Sequence, residues 1–270
     1  MDPRQACLDC LAQEPPALFE AALWIAAEHL PAYSPAHALR ELDELVRQIG
    51  ASLDDRASAS ERAQGLLRRM SEQGFCEDDD FPLQPRSALL PLVLQRRQGQ
   101  PLSLALVAME LARRLDIPLV GVNFPGRFLL RVPQADHLLD PATGRRLYTP
   151  DCRELLLRLQ GPKSELQAAY LKQASPGEIL QRLSRNLRQL HSAAGEPLAA
   201  LKDAQRVIEL GPVGAADHEA RAGLYRQLDC PQAERYDLER ALLLSDDPTE
   251  QLRLGQRLGE LAPPTGRALH

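Results

Sequence analysis

The segment Ser103–Leu115, SLALVAMELARRL, carries no charged residue before Glu110, so its first two turns are apolar on every side. A helix with one apolar stripe can lie on a surface, whereas a helix that is apolar all round must be enclosed. It is far short of the ~20 residues that span a bilayer, so the enclosure has to be protein. Directly after it the punctuation changes. PLVGVNF (Pro118–Phe124), RFLLRV (Arg127–Val132), HLLD (His137–Asp140) and RRLYT (Arg145–Thr149) are short apolar runs, separated by turns at Pro125-Gly126 and Pro141–Gly144. Such runs read as the strands of a small antiparallel meander. The expected centre of the fold is therefore one buried helix followed by a sheet.

The flanking sequence supplies the covering layers. Aromatic residues make up only 4% of the chain while Leu and Ala dominate, which favours helices, so the fold class expected is α+β and predominantly α. ALFEAALWIAAEHL (Ala17–Leu30) has helical spacing. Ser34 and Pro35 open a helix to Ile49, with Gly50 as its C-terminal stop, and another covers Ser60–Ser71 before Gly74. Phe75–Pro85, with four consecutive acids and two prolines, reads as a solvated connector. Ser87–Gln98 reads as a helix stopped by Gly99 and Pro101, Ser103 as the cap of the buried helix, and Asp151 as the cap of a helix ending at Gly161-Pro162. Three regions result: a helical segment 1–75 packed on the core, a core 76–162, and a helical region 163–270.

In the last region a self-comparison at offset 34 pairs Pro197 with Pro231, Ala199 with Ala233, Arg206 with Arg240 and Leu210 with Leu244. A 34-residue period in helical hairpins is that of the tetratricopeptide repeat. Ala200, Pro212, Ala222, Tyr225 and Ala241 fit its pattern, while Arg188 and Glu234 stand where small residues are usual. Two degenerate units cannot bury a solenoid core alone, so docking on the rest of the chain is expected, through a Glu165–Ala174 helix or the N-terminal helices.

A formal net charge of −5 without a basic stripe speaks against nucleic acid as a partner. No apolar run is long enough for a membrane span, and MDPRQACLDCLAQEPP lacks the features of a secretory signal, so a cytoplasmic protein is expected. Five cysteines, an odd number, suit a reducing compartment. Cys7 and Cys10 have half of a zinc spacing, but no second pair follows, so no metal is expected. No phosphate loop, dinucleotide fingerprint, HExxH or GxSxG occurs, and no cofactor is expected.

The stretch from LPLVLQRRQGQPLSLALVAMELARRL through VGVNFPGRFLLRV to HLLDPATGRRLYTPDCREL resembles the core of the bacterial SirB-type transglutaminase-like family over residues 87–160. An arginine-rich helix end, Gly-x-Pro-x-Ser-Leu, Phe-Pro-Gly-x-Phe-Leu-hydrophobic-Arg and hydrophobic-Asp-Pro occur in the family's order. The resemblance implies a papain-like core flanked by N-terminal helices and C-terminal tetratricopeptide-like hairpins.

It also implies a site. Enzymes of this fold place a Cys at the start of the buried helix, a His on the next strand and an Asp on the following one. Those positions are Ser103, Arg127 and Asp140 in this chain. Ser is usual in the SirB-type family, but Arg127 departs from that family's own His. Arginine stays protonated, so it cannot act as general base. His137 is too close in sequence to Asp140 to substitute well, Cys76 precedes four acids that suppress its thiolate, and Cys152 has only a helix start to activate it. The expected pattern is therefore vestigial, with Arg127 and Asp140 paired. The function expected is that of a non-catalytic interaction or regulatory module, binding a protein or peptide through the C-terminal repeats, with Arg188, His191, Tyr225 and Arg226 as candidate contacts. The rival expectation is a cysteine-protease-like hydrolase or acyltransferase with a rearranged site using Ser103.

Overall fold

The computed structural model describes residues 2–261 and divides into two compact units, one ending at Leu183 and one beginning at Ser184. At the centre of the first lies helix α6 (Pro101–Arg114), in which every residue from Leu102 to Ala108 is buried. Its enclosure comes from α2 (Leu18–Ala27), α3 (Pro35–Gly50), α4 (Ala59–Glu72) and α5 (Leu90–Arg96), all packed against it, while α1 (Pro3–Leu11) covers α2. A sheet of order β3-β4-β5-β6 closes the remaining side, all antiparallel, with β3 Val120–Val122, β4 Leu129–Arg131, β5 Leu138–Leu139 and β6 Arg146–Leu147. Val122 faces Leu129, Leu130 faces Leu139 and Leu138 faces Leu147. The helix-then-meander order expected from the sequence is present, although each strand is shorter than its apolar run. Helix α7 (Thr149–Gln160) follows β6.

Several local readings need correction. Gly50 is the last residue of α3 and not its stop; a Cβ there would come within 2.7 Å of Leu115 Cδ2, so its smallness serves close helix packing. α6 begins at Pro101 with Gln100 as N-cap, which places Ser103 inside the first turn instead of at the cap. The helix expected over Ser87–Gln98 is only Leu90–Arg96, because Pro85–Ser87 tightens into a 3-10 turn and Arg97 turns left-handed at φ 59°. Asp151 is the third residue of α7; its carboxylate accepts the amide of the N-cap residue Tyr148 at 2.9 Å. Residues 165–174 contain one 3-10 turn, Ala168–Leu171, then run beside β3, where the Ala174 amide donates to the Gly121 carbonyl.

The acidic connector is also more than a solvated loop. β1 (Cys76–Glu77) pairs in parallel with β2 (Gln98–Gly99), the strand that leads into α6. Asp78 is buried against Arg96 at 2.7 Å, and Asp80 takes Arg86 at 2.5 Å. These pairs pin the chain where composition alone suggests a free tether.

The second unit consists of the end of α8 (Pro176–Ala193), α9 (Pro197–Glu209), α10 (Ala215–Gln227), α11 (Pro231–Leu244) and α12 (Pro248–Glu260). The hairpin recurs with the offset of the self-comparison: α9 and α11 both start at the paired prolines, and Gly195 and Asp229 make equivalent left-handed turns. Asp203 and Asp237 occupy equivalent buried positions. Asp203 receives His191 at 2.7 Å and Arg206 at 2.8 Å; Asp237 receives His218 at 2.9 Å and Arg221 at 2.7 Å. Buried carboxylates persist only when paired in this way. Among the described residues, no helix is long and apolar enough to cross a membrane.

Candidate functional site

The site is assembled by the start of β4, the β5–β6 turn and the β1 strand. Arg127 sits two residues before β4, after the left-handed Gly126, and its guanidinium reaches two carboxylates. Nε and Nη2 both approach Asp140 Oδ2, at 2.9 and 2.8 Å. Nη1 and Nη2 form a fork on Glu77, at 3.3 and 2.7 Å. Burial works against the charge of Arg127, but Glu77 and Asp140 outweigh it and push its pKa above the ordinary arginine value. An arginine so held is a permanent cation.

Asp140 is held from the other side as well. Its Oδ1 accepts the amides of Ala142 and Thr143, both at 3.0 Å, and the Thr143 hydroxyl at 3.1 Å. The Asp-Pro turn that closes the β5–β6 hairpin thus uses one carboxylate oxygen, leaving the other to Arg127. In an Asp–His arrangement that second oxygen would orient an imidazole; here it neutralises a guanidinium.

Ser103 is fully buried, and its hydroxyl donates to the Ala88 carbonyl at a long 3.4 Å. The structure therefore brings Arg127 and Asp140 together and directs the hydroxyl of Ser103 to backbone. Beside the pair lies a cleft of about 300 Å³ with Leu147 and Leu155 in its wall and Arg145 and Arg158 at its rim. Those two arginines are paired with Asp151 at 2.6 Å and Glu154 at 3.0 Å, in exposed geometry where ion pairs exchange readily.

The remaining candidates fall into place around this. His137 is buried, with Nδ1 2.9 Å from the Asp136 carboxylate, so its ring serves Asp136 and not Asp140. Cys76 is exposed; Cys152 is buried, and burial, followed by the nearby Asp151 charge, pushes its thiol pKa up. Cys10 is pushed to about 11 by burial, then Glu20 and Asp9, which keeps it a thiol within α1.

Two of the four residues expected on a partner surface are internal. His191 is spent on Asp203, and Arg188, mostly buried, lies 3.5 Å from Asp217, which is also forked by Arg185. Tyr225 is half-buried beneath Arg221, and Arg226 is exposed. Glu77 was missed by sequence reasoning, because a β1–β2 pairing between residues some twenty positions apart leaves no periodic signal. Asp203 and Asp237 could have been found, since they match at the same 34-residue offset as the flanking prolines.

An enclosed helix followed by a four-stranded antiparallel meander is the arrangement of a transglutaminase-like core. The chain belongs to the transglutaminase-like superfamily, whose family model (Transglut_core2) matches residues 36–185. The match thus ends where the second unit begins. Similar bacterial proteins include a UPF0162 protein of Xylella fastidiosa strain 9a5c, 37% identical over 177 residues, covering 63% of this chain and 63% of that protein. Protein SirB1 of Salmonella typhimurium is 28% identical over 205 residues, covering 73% and 75%. The UPF0162 protein YchA of Escherichia coli K12 is 30% identical over 152 residues, covering 55% and 56%. The chain spans less than two thirds of the length of the Xylella relative. No solved structure matches.

Proposed function

We propose that this chain is a non-catalytic transglutaminase-like protein that acts as an interaction module, binding a protein or peptide through its C-terminal tetratricopeptide-like hairpins. The observation that carries the reading is the Arg127 guanidinium held on Glu77 and Asp140, at the residue that the resemblance assigns to the fold's general base. A guanidinium cannot take the proton of a nucleophile, and the buried Ser103 hydroxyl has no imidazole as its hydrogen-bond partner.

The second unit offers the kind of surface a partner would use. Tyr236, Arg240 and Leu243, spaced by four and three residues, share one face of α11, with the Arg240 guanidinium over the Tyr236 ring. Leu243 is 76% exposed, as is 66% of Leu252 on α12. Large exposed apolar side chains next to an aromatic and an arginine are the composition of binding hot spots. These residues replace Arg188 and His191 as the candidate contacts.

The test is a capture experiment with the full-length chain against the same chain carrying Tyr236→Ala and Leu243→Asp. Loss of specifically retained partners, with unchanged thermal unfolding, supports the reading. Retention of the same partners overturns the assignment of this surface. The catalytic alternative is tested separately: turnover of amide substrates by the parent chain, abolished by Ser103→Ala, would overturn the non-catalytic assignment.

A further inference from the structure

The cleft of about 300 Å³ beside Arg127 is formed entirely by residues of the first unit. Pockets for small molecules run from about 300 to about 1,000 Å³, so this one suits a group the size of a single side chain. Helix α7 turns one stripe toward it, Asp151, Glu154, Leu155 and Arg158, which recur at helical spacing. The β5–β6 hairpin adds Arg145 and Leu147, so the walls combine apolar surface with guanidiniums.

Two of the cleft's acids are fully committed, and two of its arginines are not. Asp140 accepts at both oxygens, from the Thr143 turn and from Arg127. Asp151 likewise accepts Arg145 on Oδ1 and the Tyr148 amide on Oδ2. Arg145 and Arg158, by contrast, each donate a single hydrogen bond among the described residues, from Nη2, to Asp151 at 2.6 Å and to Glu154 at 3.0 Å. Their side chains are 67% and 69% exposed, so most of the five N–H donors of each stay open to solvent. Arg127, in the same cleft, shows what such a guanidinium can hold: Asp140 sits on its Nε side and Glu77 on its Nη1 side. Arg145 and Arg158 have one carboxylate each and room for that second one.

We propose that this cleft binds a monocarboxylate with an apolar body, its oxygens accepting from Arg145 and Arg158 and its carbon chain lying on Leu147 and Leu155. A planar carboxylate matches the guanidinium fork, and hydrogen bonds between charged groups are the strong ones. Ion pairs as exposed as Arg145–Asp151 and Arg158–Glu154 contribute little, so they yield readily to an incoming acceptor. The walls also limit the ligand's charge. Three arginines, Arg127, Arg145 and Arg158, stand against three acids, Asp140, Asp151 and Glu154, so the lining is formally neutral. A dianion such as phosphate meets all three acids at twice the repulsion, whereas a single carboxylate adds one charge beside two guanidiniums. The ligand is held unchanged, because Arg127 can take no proton from it.

The test uses the full chain and N-acetyl-leucine, with N-acetyl-leucinamide as the neutral isostere and sodium chloride holding ionic strength constant, read by the methyl resonances of Leu147 and Leu155. Saturable shifts with N-acetyl-leucine at millimolar concentration, and none with the amide or with inorganic phosphate, are expected. Arg145→Gln and Arg158→Gln should each weaken binding about tenfold, and the double variant should abolish saturation. The lysine variants, which keep the charge without the fork, should lie in between. Arg153→Gln, exposed on α7 outside the cleft-facing stripe, should leave binding unchanged. Two further probes separate the sources: tighter binding of acetyl-Ala-Ala-Leu than of isocaproate assigns a chain end as the ligand, and the reverse order assigns a small free acid. An equal response to the amide, chloride or phosphate overturns the proposal, as does a titration of the double glutamine variant that superimposes on the parent's.

Discussion

Replacing Arg127 or Asp140 with alanine tests the charge network at the site, and the two changes should not be equivalent. Removing one member of a buried ion pair costs about 3–5 kcal/mol, because the other charge is left uncompensated. Arg127 is 23% exposed at its side chain and Asp140 11%, so a wet cleft should reduce this cost. Arg127→Ala leaves Asp140 with its three hydrogen bonds from the Ala142 and Thr143 backbone and the Thr143 hydroxyl, and leaves Glu77 half in solvent. A cost of about 2 kcal/mol is expected. Asp140→Ala removes the acceptor for those same three donors as well as the partner of Arg127. One unpaired buried amide costs about 1–3 kcal/mol, so the total should reach about 4 kcal/mol. The assay is urea unfolding followed by fluorescence of Trp24, the chain's single tryptophan, which sits in α2 of the first unit. The double variant gives the coupling directly, expected at about 1–2 kcal/mol for groups in contact. A coupling near zero, or an Asp140→Ala cost no larger than that of Arg127→Ala, would refute the argument that one aspartate serves both the turn and the guanidinium.

Asp78 is held below the usual carboxylate range: burial opposes this, but the hydrogen bonds from Arg96 and the Asp80 amide and the nearby positive charges outweigh it. Its stabilisation should be complete above the unfolded value of about 3.9 and be lost as pH falls through the lower folded value, so Asp78→Asn should flatten the acid limb of a urea-midpoint profile. Gly121→Ala would place a Cβ 2.5 Å from Phe128 Cζ, and this overpacking should cost about 1–3 kcal/mol in the same unfolding assay. Ser103→Ala removes a single long hydrogen bond to backbone and should cost about 1 kcal/mol, measured by the same method. In the second unit, Asp237→Ala strands His218 and Arg221 and should cost about 3–5 kcal/mol by circular dichroism at 222 nm during thermal unfolding, whereas Arg226→Ala, exposed, should cost less than about 0.5.

The sequence by itself determined the enclosed helix, the order of elements around it and the 34-residue hairpin period, because each is written in local spacing. A helix with no charge in two turns must be buried wherever it lies, and Gly and Pro punctuate strands through their own dihedral limits. It also determined that Arg127 cannot be a base, since that follows from the side chain alone. What only the tertiary structure decided was which charges meet. Arg127 finds Glu77 because β1 pairs with β2 across the intervening helix, and Asp78 finds Arg96 by the same pairing. Whether Ser103 caps a helix or lies buried on a carbonyl depended on where Pro101 started α6, one turn from the expected place. His191, polar and helical in sequence, is internal because Asp203 lies opposite it on the next helix. Charges are indifferent to sequence distance: their energies depend on separation in space and on burial, and both are set by the packed chain.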